Sequence, residues 1–274
     1  MTANRTTLKR AVAVGVALLV VASLGAGTVA SLTQDEGNAQ VRVAHMSPDA
    51  PAVNVQVDGE TAVEDLEYSD VTEYLDLSAG DHDVTIVTAE NETAVFEGQV
   101  SVEANEKYTV MAAGEVSENA TEEFQVTVLS DATEAPTGNQ SSVRLVHASP
   151  DAGPVDVTFQ QSGDAVADNA TFGNATDYTT VEDGVYTFEV RPAAEDNNGT
   201  VVATFNESLL EGNAYTGFVA GYASPEDAPA NESLSLFLEI DVNGTEQAAE
   251  TTEMVEETTT VEMDGEEEET TTEA

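Results

Sequence analysis

The stretch Val41-Arg42-Val43-Ala44-His45-Met46-Ser47-Pro48-Asp49-Ala50-Pro51-Ala52-Val53-Asn54-Val55 decides how this chain is read, because it occurs twice. It returns as Val143-Arg144-Leu145-Val146-His147-Ala148-Ser149-Pro150-Asp151-Ala152-Gly153-Pro154-Val155-Asp156-Val157. Each copy opens a segment of domain length, so a tandem repeat is the first organising fact. Val41 and Val43 alternate with Arg42 and Ala44, the period of a strand with two unlike faces. Ser47-Pro48-Asp49-Ala50-Pro51 then ends the strand. Two prolines this close cannot both sit inside a sheet, so the segment reads as a crossover or turn. Val53, Val55 and Val57 share one face of the next strand, and Asp58-Gly59 offers the positive-φ pair of a tight hairpin.

Working outward, further strand-like runs follow at Val71–Leu77, Val84–Val87, Val95–Val102, Tyr108–Gly114 and Phe124–Leu129. About eight short strands with closely spaced turn signals, and no helical period of useful length, predict an antiparallel β-sandwich. The second copy repeats the landmarks. Thr176-Asp177-Tyr178 answers Thr72-Glu73-Tyr74, Gly184 answers Gly80, and Tyr215–Gly221 answers Tyr108–Gly114. The offset grows from 102 at the histidines to 107 at the last glycines, the drift that loop insertions produce. The expected architecture is all-β: two tandem sandwiches, Ig-like or transthyretin-like, over residues 41–131 and 143–242. The polar residues 132–142 read as a linker. With an alternating core in each half, each repeat is expected to fold alone.

The flanks have different chemistry. Residues 1–30 read as an export signal, with Arg5, Lys9 and Arg10 ahead of an apolar run and small residues at Thr28-Val29-Ala30. Residues 245–274 are almost only Glu and Thr, with Glu266–Glu269 in a row, and read as a disordered acidic tail. After residue 30 the chain carries four bases against 53 acids, a net of −49. Nucleic acid and anionic membrane surfaces are therefore excluded as partners, and no membrane insertion is expected once the signal is cleaved. Hydrophobic residues are 41% of the chain, enough for a core, so the acidity reads as a halophilic adaptation of a folded body. There is no cysteine and hence no disulfide.

The V-R-x-x-H-x-S-P-D-A-P opening, the x-x-Y ahead of a turn glycine and the later Y-T-x-x-x-A-G resemble an uncharacterised family of secreted bacterial and archaeal modules, known only as a domain of unknown function. The acidity is that of a halophilic archaeal member. The resemblance covers both repeats and neither flank, and the second repeat departs from it at Gly153-Pro154. It implies export and a β-rich module, and it supplies no activity.

The motif residues Arg42, His45, Ser47, Pro48 and Asp49, with Arg144, His147, Ser149, Pro150 and Asp151, are read as structural. His45 and His147 lack the further ligands a zinc site needs. A His45-Ser47-Asp49 triad fails on distance, because i and i+2 side chains of an extended chain stand roughly 7 Å apart. Arg42 and Arg144 are two of only four bases after residue 30, at matched positions, which points to a specific bidentate carboxylate partner. Asp49 and Asp151 are the expected partners. No D-x-D-x-D-G calcium loop appears, and no metal or cofactor is expected. Nine of the 14 asparagines after residue 30 stand in N-x-S/T: Asn91, Asn119, Asn139, Asn169, Asn174, Asn198, Asn206, Asn231 and Asn243. Composition alone predicts about three such sequons, so the excess reads as a glycosylated surface. The expectation is an exported, non-catalytic cell-surface or extracellular structural or binding protein, not an enzyme. Its partner would be an envelope protein or polysaccharide. The alternative is an accessory module that binds carbohydrate or another polymer of the envelope.

Overall fold

The computed structural model describes residues 37–244; the export-signal and tail readings lie outside them. The first repeat forms eight strands: β1 (Asn38–Met46), β2 (Val53–Val57), β3 (Glu60–Leu66), β4 (Leu75–Ser78), β5 (Gly80–Thr88), β6 (Ala94–Val102), β7 (Lys107–Ala113) and β8 (Gln125–Ser130). The second repeats the series: β9 (Gln140–Ala148), β10 (Val155–Phe159), β11 (Ala165–Ala170), β12 (Thr179–Glu182), β13 (Gly184–Pro192), β14 (Ala203–Leu209), β15 (Asn213–Ala220) and β16 (Ser235–Asn243).

Each repeat is a sandwich of two four-stranded sheets. One sheet has the order β4-β1-β7-β8 and is backed by β3-β2-β5-β6; the second repeat has β12-β9-β15-β16 backed by β11-β10-β13-β14. The Ser47–Ala52 segment carries the chain from one sheet to the other. Asp58 (φ 52°) and Gly59 (φ 82°) turn the β2–β3 hairpin through two positive-φ residues, the geometry a two-residue loop requires. Pairing between strands is antiparallel except for one pair in each repeat: β1 runs parallel to β7, and β9 to β15. The whole backing sheet lies between these partners in sequence, and such a long connection permits a parallel pair. The expected strand at Val71 starts later, at Leu75. Val71 makes only an isolated bridge to Ala44, while Thr72 is held by Val43 through both its amide and its hydroxyl.

Each sandwich has its own core. In the first, Ala39, Val41 and Val43 of β1 pack with Val53, Val55, Ile86 and Val110; in the second, Val143 and Leu145 pack with Val157, Phe188 and Leu209. A third apolar cluster lies between the repeats. Ala44, Met46, Met111, Ala113 and Leu129 of the first meet Val146, Ala148, Phe218 and Ala220 of the second. All nine residues sit on β4-β1-β7-β8 or β12-β9-β15-β16, so these inner sheets face each other and the other two are outer. The repeats are thus packed together, a contact the reading of two independent domains did not contain.

Candidate functional site: the inter-repeat face

On β1 the period of two sends Val41, Val43 and His45 into the sandwich and Arg42, Ala44 and Met46 toward the other repeat. Arg42 is therefore buried, at 2% exposure. Its carboxylate partner is not Asp49. Arg42 Nη2 bonds Asp241 of the second repeat and Nη1 donates to Ile240 O at 3.1 Å. Arg144 Nη2 bonds Asp131 of the first repeat and Nη1 donates to Ser130 O at 2.6 Å. The two arginines are exchanged between repeats, Arg42 held by Asp241 within β16 and Arg144 by Asp131 just after β8.

The supports are matched as well. Arg42 Nε donates to Thr109 Oγ1 at 2.8 Å, and that hydroxyl donates to Asp131 at 2.6 Å. Arg144 Nε donates to Thr216 Oγ1 at 2.9 Å, and that hydroxyl donates to Asp241 at 2.8 Å. Tyr74 OH donates to Asp131 and Tyr178 OH to Asp241, both at 2.7 Å, with each guanidinium 4.8 Å from the centre of the tyrosine ring of its own repeat. Both aspartate side chains are wholly buried. Burial alone would lower the Arg42 pKa; Asp241, with Tyr74 and Asp131, reverses this and holds it above its ordinary value. Burial pushes the Asp241 carboxyl up against the pull of Arg42, and it pushes the Tyr74 and Tyr178 phenols up, so both phenols stay protonated and donate. Two cations and two anions make the buried quartet neutral. Lys107 breaks its symmetry, donating to Asp241 O at 3.0 Å from the first repeat only. Tyr222 OH, donating to Glu115 at 3.0 Å, is a further buried bond between repeats.

The rest of the motif holds loops. Asp49 accepts from Val116 N at 2.9 Å and Ser117 N at 3.1 Å, and Asp151 accepts from Ala223 N at 2.7 Å and Ser224 N at 2.9 Å. Each ties the crossover to the loop after the parallel strand. That loop begins at Gly114 (φ 97°) or Gly221 (φ 89°), where a Cβ would lie 2.4 Å from Glu123 O or Ser233 O. The motif glycine is thus demanded by backbone angle and by close approach. Ser47 Oγ donates to Gly114 O at 2.6 Å, whereas Ser149 Oγ donates to Asp151 Oδ1 at 3.3 Å. His45 Nε2 bonds Pro51 O at 3.2 Å and His147 Nε2 bonds Gly153 O at 2.6 Å, six residues on in both, so the Gly153-Pro154 departure leaves this bond intact. Each Nδ1 accepts the amide of Ser47 or Ser149. A carbonyl can only accept and an amide only donate, so both rings are the neutral Nε2–H tautomer, and burial lowers their pKa values. Pro48 and Pro150 are buried in the crossovers.

Eight of the nine sequon asparagines are exposed, and Asn243 is half-buried. None belongs to the apolar cluster between the repeats. Sequence reasoning singled out both arginines and missed their partners. No local signal marked them: Asp131 stands 23 residues after Tyr108 and Asp241 stands 26 after Tyr215, so the two aspartates are out of register in the sequence repeat.

The comparisons with known proteins come to little beyond the family. No curated protein matches the chain. Among solved structures, a streptococcal virulence factor described by its alpha-glucan binding is 9% identical, over 72% of this chain and 95% of that one, with a TM-score of 0.23. A family CBM26 module of Eubacterium rectale Amy13K, solved in complex with maltoheptaose, is 9% identical over 75% of this chain and 98% of its own, also with a TM-score of 0.23. Likeness at that level says nothing about a site or a ligand. The family model described as "Domain of unknown function (DUF4397)" matches residues 39–158 and again 147–250. By that match, which takes in both sandwiches, the chain belongs to the DUF4397 family.

Proposed function

We propose that this chain is an exported, non-catalytic surface or extracellular module, a stiff two-sandwich body that carries glycans on its outside. One observation carries the reading: the side chains of the repeated motif that have chemistry to offer are engaged in holding the protein together. The guanidiniums are spent on the buried quartet, the histidines and serines bond nearby groups, and Asp49 and Asp151 hold loop amides. The exposure of eight sequons supports glycan display. Sugar recognition by stacking needs an open aromatic face, and each of the 15 Tyr and Phe residues is buried or half-buried. Binding through a protein surface rather than a sugar platform is the better fit.

The test is mass spectrometry of the native protein recovered by surface labelling of intact cells. The expected result is a mature terminus near Ser31 and glycan on Asn119, Asn139 and Asn198, which lie in exposed loops. Recovery only from inside the cell, with all nine sequons bare, would refute the proposal.

A further inference from the structure

The inter-repeat face has the form of a two-fold interface. Arg42 meets Asp241 and Arg144 meets Asp131, so each repeat gives one cation and one anion and receives one of each. Patch i meeting j while j meets i is the mark of isologous pairing, found between separate copies of a chain. Every member of the quartet lies on an inner strand or one residue beyond it. The contact therefore does not require the two repeats to share a chain.

The face also cannot stay open. Parting the repeats would expose Met46, Met111 and Phe218 and take from each arginine the carboxylate that its Nη2 bonds, leaving Arg42 only Asp131 of its own repeat at 3.8 Å. An opened face must close again, on its own partner or on an equivalent one. We propose that it is a docking surface for the complementary repeat of a second copy of this chain, giving a repeat-exchanged dimer with the same quartet at both of its interfaces. The pairing favours unlike repeats. Met46 and Met111 of the first stand where the second has Ala148 and Phe218, Leu129 stands where it has Glu239, and only the first repeat has Lys107 to donate to Asp241 O. Choice between the two closures falls to the linker, since a short tether presents its own partner at a high effective concentration, on the order of millimolar. Exchange is thus rare in dilute solution and rises where copies are crowded side by side.

The experiment uses the full chain in molar salt, with a protease site replacing the exposed Thr137-Gly138 so that the folded protein is cut between its repeats. One cut sample carries an affinity tag on the first repeat, and another carries a fluorophore on the second. After mixing, the tagged first repeat is expected to capture the labelled second repeat at 1:1. Arg42→Met on the tagged partner should weaken capture by about a hundredfold or more, because it leaves Asp241 buried without its cation. Glu97→Ala, on the outward face of outer strand β6, should leave capture unchanged. The proposal is overturned if the cut repeats separate or aggregate, if they stay paired but never capture the labelled copy, or if the two substitutions act alike.

Discussion

The inner and outer sheets are built from similar residues and differ in what covers them. On outer strand β14 burial alternates: Thr204, Asn206 and Ser208 are exposed between buried or half-buried neighbours. On inner strand β15 all eight residues from Asn213 to Ala220 are buried. One face of an antiparallel sheet is free to meet water, and the outer sheets follow that rule with Glu97, Gln99 and Ser101 of β6 turned outward. The inner sheets have lost that freedom, and each has placed an arginine on the face that would otherwise be wet. The difference teaches that charge serves opposite ends in the two regions. Outside, carboxylates stand almost without cations; inside, two carboxylates are matched one for one.

Removing salt should break this molecule at its outer faces, and it is the largest effect expected. Three of the four bases after residue 30, Arg42, Lys107 and Arg144, bond groups at the inter-repeat face, so the acids outside have little to offset them. Compaction draws these acids together and self-repulsion opposes folding. Screening reaches roughly 30 Å at 0.01 M salt and about 3 Å at 1 M. A net stability of about 5–15 kcal/mol is of the size such repulsion can remove. Circular dichroism melts should show loss of structure in dilute buffer and recovery in molar KCl; a melting temperature independent of salt would contradict it.

The inner face sharpens the contrast through a double-mutant cycle at high salt. Arg42→Ala should cost about 3–5 kcal/mol by leaving a buried carboxylate unpaired. Asp241→Ala should add much less once Arg42 is gone, while Asp49→Ala should add in full, since it touches neither partner. Because the pair is buried, its coupling should hardly change between one and several molar salt. Equal coupling of Arg42 to Asp49 and to Asp241 would reject the assignment.

The smallest effect comes from the histidines. Burial lowers the folded pKa of His45 and His147 below the ordinary histidine value of about 6.5, so they contribute stability at neutral pH that is lost as pH falls through about 6.5 toward their folded values. Each can contribute a slope of up to about 1.4 kcal/mol per pH unit. His82 has the opposite sign. Burial would lower its pKa, but Asp58 and Ser78 O raise it, so its contribution is present below 6.5 and fades as pH rises through its folded value. Melts between pH 7.5 and 5.5 should show less acid loss in His45→Gln/His147→Gln than in the parent, and more in His82→Gln. Identical profiles for all three would exclude these assignments.

From the sequence alone came the duplication, the two sandwiches, the crossover at Ser47–Pro51, the Asp58-Gly59 hairpin and the singling out of Arg42 and Arg144. All of these rest on local rules: period two, proline without an amide proton, positive φ, and scarcity of bases. The sequence had no means of naming Asp131 and Asp241, because alternation says that Arg42 leaves the core of its own sandwich and does not say what waits on the other side. Asp49, close in sequence and equally repeated, was the natural guess; its strand-end geometry instead aims it at the amides of Val116 and Ser117. Only the packing of one inner sheet on the other, nearly 200 residues apart at the Arg42–Asp241 contact, turned an apparently exposed face into a third core. Burial is a property of what lies opposite, and a residue's own stretch of chain carries no record of it.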